Sequence, residues 1–111
     1  MKVVYHPEFP RDILRFCARY QEISPKLAHR FASEANFAVD QVKSSPRSAG
    51  HFLHVNSEVV REFRRRNLSS FPFFVLYAVH DDTLIFGAMI PSASDPLTWL
   101  SRFRTREDAE S

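Results

Sequence analysis

Residues 61–77 read REFRRRNLSSFPFFVLY, and their interpretation decides the fold. Pro72 opens a run, Phe73 to His80, that is aromatic and β-branched, with apolar residues at both alternate positions. Proline cannot donate to a ladder but can stand first in a strand. A strand apolar on both sides belongs inside a sheet covered on both faces. Asp81-Asp82 suits a tight turn, and residues 83–90, TLIFGAMI, then form the return strand of a hairpin. Upstream, Arg64, Arg65 and Arg66 raise the question of what they touch. On a strand, Arg64 and Arg66 share one face and Arg65 takes the other. On a helix the three would fan out. The spacing of residues 56–68 fits either state. A solvated charge run and a polyanionic partner both fit the charges.

Working outward, residues 2–6, KVVYH, read as an opening strand stopped by Pro7. Residues 8–23 form a helix in which Ile13, Leu14, Phe16, Cys17, Tyr20 and Ile23 recur at helical spacing, with Arg11, Asp12, Arg15, Arg19 and Glu22 as its polar side. Ser24-Pro25 marks a new helix start, serine as N-cap and proline at the first helical position. The second helix runs over about 25–44, its buried stripe Leu27, Phe31, Ala35, Ala38 and Val42, with Ala28, Ala32 and Val39 beside it. Joined by almost nothing, the two helices form an antiparallel hairpin. Residues 44–50, SSPRSAG, are loop by composition, and HFLHV at 51–55 alternates weakly like an edge strand. After a break at 91–94, Asp95-Pro96 repeats the cap-and-proline device and opens a short helix through Trp99 and Phe103. Residues 105–111 read as a frayed tail.

The expected architecture is α+β: an N-terminal strand and a helical hairpin packed on a mainly antiparallel sheet of about four strands, with a short C-terminal helix. Its 111 residues suit one domain. Apolar residues are 44%, enough for a core without metal or disulfide support. With two glycines in the chain, a glycine-rich phosphate loop is excluded. The net charge is +2, carried by twelve Arg against three Lys, and arginine suits bidentate contact with phosphate or carboxylate. The single cysteine, Cys17, lies among apolar residues and reads as core. A lone cysteine and the lack of an apolar leader in MKVVYHPEFP fit a cytoplasmic protein. No apolar run approaches the ~20 residues of a spanning helix.

The segment FRRRNLSSFPFFVLYAVHDDTLIFGAMIPSASDPLTW, residues 63–99, resembles the RelE/ParE superfamily of bacterial type II toxins, the plasmid-stabilisation proteins. The match lies in a basic strand, Leu68, the start Phe71-Pro72-Phe73, Tyr77 closing the strand, the acidic turn Asp81-Asp82, the strand LIFGAMI, and the close DPLTW at 95–99. The N-terminal half agrees in layout. The resemblance implies a toxin neutralised by a cognate antitoxin, acting either on mRNA at the ribosome or on DNA gyrase, without a cofactor and without a membrane. It also implies candidate residues: Arg65 and Tyr77 for catalysis, and Arg61, Arg64, Arg65, Arg66 and Arg102 for nucleic acid or antitoxin.

RNA cleavage needs an activated 2′-hydroxyl, a stabilised phosphorane and a protonated leaving oxygen, which basic and tyrosyl side chains supply. Here the chain departs from the family. Phe74 stands where an arginine is common, and Pro91-Ser92-Ala93-Ser94 stands where a His-x-Arg-Arg run is common. A preorganised charged donor can be worth about 3 kcal/mol in rate, so these losses count against the endonuclease and leave a gyrase-directed toxin or a catalytically inactive binding module. Tyr77, His80, His51 and His54 remain as proton donors. His51-x-x-His54 has metal-ligand spacing only if helical, and lacks carboxylate or thiolate partners nearby, so no metal is expected. Ser69-Ser70 reads as a turn, and Trp99 as a core plug.

Overall fold

The computed structural model describes residues 1–53 and 62–103. Strand β4, Phe73–His80, is buried at every residue except His80. Apolar on both faces, it has to be covered on both, and it lies at the centre of a five-stranded sheet of order β1-β5-β4-β3-β2. The other strands are β1 (Lys2–Tyr5), β2 (His51–Leu53), β3 (Glu62–Asn67) and β5 (Thr83–Pro91). Neighbours are antiparallel except β1 and β5, which run parallel. The fifth strand, beyond the four expected, is HFL at 51–53, which pairs with β3 as an edge. Residues 62–67 are strand, settling the helix-or-strand choice for that part; residues 54–61 lie outside the described residues.

Helices α1 (Glu8–Ile23) and α2 (Pro25–Ser44) form the hairpin. Ser24 separates them in extended backbone, but its hydroxyl makes no cap bond. Its main chain does the joining: the Ser24 N–H donates to the Tyr20 carbonyl at 2.9 Å, and the Ser24 carbonyl accepts from the Ala28 N–H at 3.2 Å. The buried stripe of α2 follows the expected spacing, with Ala28, Phe31, Ala35, Ala38 and Val42 inside. That of α1 does not. Leu14 and Ile23 are 69% and 72% exposed, whereas Asp12, expected on the polar side, is fully buried. Phe9, Asp12 and Phe16 lie three and four residues apart on one face, so the carboxylate occupies a core position.

The hairpin covers one face of the sheet. Phe16 packs on Phe73 with ring centroids 4.5 Å apart, Tyr20 on Phe71 at 5.0 Å, and Phe31 on Phe71 at 5.4 Å. Val75, Tyr77, Val79, Leu84, Phe86 and Met89 complete that core from the strands. The outer face carries a second core of Phe63, Phe74, Leu76, Ala78, Ala88 and Ile90, closed by a 3-10 helix, Pro96–Phe103. Asp95 caps this helix as expected, its Oδ1 accepting from the Leu97 N–H at 3.0 Å. The central plug is Phe103, 2% exposed; Trp99 is half-buried beside it. Phe103 fits because Gly87 is the unpaired residue of a β-bulge, between pairs Leu76–Ala88 and Tyr77–Phe86. A Cβ at Gly87 would stand 2.2 Å from Phe103 Cζ. The β4–β5 turn is closed by Asp81 in the left-handed region, at φ 54°, which aspartate tolerates. Among the described residues, no helix is long and apolar enough to cross a membrane.

Candidate interaction site on the basic strand

The ladder fixes where each arginine goes. Arg64 and Arg66 pair with Tyr77 and Val75, which face the helices; Arg65 pairs with Leu76, which faces outward. The alternation expected of a strand therefore holds.

On the helix side the guanidinium groups are engaged. Arg64 donates from Nε to Glu62 Oε2 at 2.6 Å and from NH1 to the Gly50 carbonyl at 3.0 Å. Arg66 donates from Nε to Gln41 Oε1 at 3.1 Å, tying β3 to α2, and also bonds the Asn67 carbonyl. An open groove of about 610 Å³ begins at Arg66 and follows the end of α2 past Phe37, Asp40, Ser44 and Ser48. Phe37 is 57% exposed there, so the groove offers an apolar contact between one cation and one carboxylate. That mixture suits a peptide segment better than a reacting phosphate, because Asp40 would repel an anion.

Tyr77 stands beneath this arrangement and is fully buried. Its hydroxyl donates to the Pro46 carbonyl at 2.8 Å. Burial pushes its pKa up to about 12, a rise that the nearby Arg64 only partly opposes. The loop reaches the phenol because residue 50 is glycine: a Cβ would come within 2.4 Å of the Tyr77 hydroxyl oxygen and 2.8 Å of the Arg65 carbonyl oxygen.

Arg65 lies on the outer face, with its guanidinium 3.9 Å from the centre of the Phe74 ring. Its Nε and NH2 donate to Asn67 Oδ1 at 3.1 and 2.9 Å, which holds the group flat on the ring. His51 is its cross-strand partner and is exposed. Beginning a strand, His51 does not present the helical pair with His54 that a metal reading needs; His54 lies outside the described residues.

Of the residues named from sequence, Arg65 and Tyr77 are on opposite faces of the sheet and cannot share one phosphate. Arg102 is remote from both. Its NH1 donates to Asp12 Oδ2 at 2.6 Å and to the Gly87 carbonyl at 3.0 Å, so it serves the other end of the fold. Arg61 lies outside the described residues. Phe74, in the place of an expected arginine, is fully buried. The Ser94 N–H donates to the Pro91 carbonyl at 2.9 Å in a turn that carries no basic side chain. His80 is 40% exposed, with Nε2 3.6 Å from Asp81.

Three partners were missed in the sequence. Glu62 follows the same alternation as Arg64 and was legible as its strand neighbour. Gln41 and Asp12 sit on helices, 25 and 90 residues from the arginines they meet, where no local pattern announces them. No protein-family model matches the chain, and no curated protein matches it.

Proposed function

We propose that this chain is the toxin-type member of a bacterial toxin–antitoxin pair of the RelE/ParE kind, acting in the cytoplasm by binding and not by cutting RNA. The motif run from Leu68 to Trp99 and the order strand, two helices, antiparallel strands and short terminal helix support the family reading. One observation carries the choice of mechanism: Arg65 lies flat on Phe74, with Phe74 wholly inside the outer core. A ribonuclease site at this strand pair would need a second cation pointing outward, and the chain supplies a ring instead. Tyr77, the other catalytic candidate, keeps its proton on Pro46 beneath the opposite face. The reading without RNA cleavage is the ParE-like one, with DNA gyrase as target. The groove beside Arg66 and the outer surface of β3 and β2 are the surfaces offered to an antitoxin or target, the first apolar and mixed in charge, the second basic.

The test is made in cells after induced expression. Primer extension on translated messages shows no new cleavage sites, while gyrase-dependent DNA breaks accumulate. In-frame, ribosome-dependent cuts would replace this reading with the endonuclease. Neither cuts nor breaks, from a folded protein, would leave the inactive binding module.

A further inference from the structure

A second cleft lies at the β1 edge of the sheet, across the sheet from the arginine strand. It holds about 480 Å³, within the range of small-molecule sites. Val4, Ile85 and Phe103 supply its apolar lining; Lys2, His6, His80 and Arg102 supply its polar lining. Among the described residues, no carboxylate lines it. The acids nearby have other partners: Asp12 holds Arg102 and Arg15, Glu8 holds Arg11 at 2.7 Å, and Asp81 and Asp82 extend into solvent at 91% and 89% exposure.

Two of the four polar groups are fixed before any ligand arrives. Arg102 is oriented by Asp12 and by the Gly87 carbonyl. His6 Nδ1 accepts the Glu8 N–H at 3.1 Å, so the proton of the neutral ring sits on Nε2, as a donor. Burial, and then the charge of Arg102, lower the His6 pKa from its ordinary value, which keeps that form at neutral pH. The exposed Lys2 ammonium and the half-exposed His80 ring complete the set. Four donor groups exceed what the two oxygens of a carboxylate can use. They suit the three terminal oxygens and near-double charge of a phosphate monoester.

The geometry points to a binding site for a small phosphate monoester with an apolar body, of the nucleoside monophosphate class. Lys2, His6, His80 and Arg102 hold the phosphate, and Val4, Ile85 and Phe103 meet the body. The site is independent of the toxin reading, since none of its residues belongs to the basic strand.

Amide chemical-shift titration of the whole chain at pH 7 tests it, with adenosine 5′-monophosphate, adenosine and inorganic phosphate as separate probes. The expected result is saturable shifts at Lys2, His6, His80 and Thr83 for the monophosphate, with weaker binding of the other two probes. Lys2→Ala and His80→Ala, both at exposed side chains, each weaken that binding by about tenfold, the loss of one charge-assisted hydrogen bond. The site is overturned by shifts that do not saturate, by shifts confined to residues 64–66, by equal affinity for either fragment probe, or by full affinity in both variants.

Discussion

The buried carboxylate of Asp12 and the guanidinium of Arg102 meet at 2.6 Å, and together they finish an edge that the sheet leaves open. Strand β1 ends at Tyr5, while its neighbour β5 continues to Pro91. The His6 N–H still reaches the Phe86 carbonyl, at 2.9 Å. Beyond it, the Gly87 carbonyl accepts from Arg102 and the Met89 N–H donates to Asp12 Oδ2 at 3.1 Å. An ion pair between α1 and the terminal 3-10 helix thus replaces the missing strand. Buried main-chain groups left unpaired are costly, which gives a charged residue a reason to occupy a core position.

Removing one partner strands the other. Asp12→Ala leaves a buried cation and an unpaired Met89 N–H, and is expected to cost about 3–5 kcal/mol in urea unfolding. The pair Asp12→Ala/Arg102→Met should cost clearly less than the sum of the two single changes. Additive losses would show that the two side chains act separately.

Gly87 and Phe103 form a second coupled pair. Gly87→Ala drives a methyl into the ring and is expected to destabilise by about 1–3 kcal/mol. Adding Phe103→Ala removes the obstacle, so the double variant is less damaged by the alanine at 87 than the parent is. The same thermal unfolding series shows this directly.

Tyr77 predicts an alkaline effect with a definite sign. Its folded pKa lies near 12, against an ordinary value of 10.0. Between these values the unfolded chain loses the proton and the folded chain keeps it. The contribution to stability is full below pH 10, and is lost as pH rises toward 12. Tyr77→Phe should abolish this part of the decline, seen by comparing urea midpoints at pH 8 and pH 11. At pH 8 the change costs only about 0.5–1.5 kcal/mol, for the bond to Pro46. A parallel decline in both proteins would show that the phenol titrates normally.

Phe74→Arg, the change that would restore the residue common in the family, is expected to unfold the outer core and not to create cleavage. It replaces a fully buried ring with a cation beside Arg65, at a cost of about 3–5 kcal/mol. A variant as stable as the parent that cuts translated mRNA would show the outer face to be an active site lacking one charge.

Much of this fold is legible in the residues. FPFFVLYAVH shows a strand apolar on both faces, and Ser24-Pro25 places the break between helices to the residue. The limits are equally specific. A lone aspartate on a helix gives no sign of a partner 90 residues away, so Asp12 looks like one more polar-face charge. Leu14 and Ile23 fit a helical stripe by eye but lie off the face that Phe9 and Phe16 define. Arg65 and Tyr77 look like one site in the sequence. Twelve positions apart on paired antiparallel strands, they fall on opposite faces because Tyr77 pairs with Arg64.

Growth of bacteria on induction tests the central claim most directly. Expression of the intact chain is predicted to arrest growth, and co-expression of the short reading frame beside its gene to restore it. Unimpaired growth at a confirmed level of folded protein would contradict a toxin.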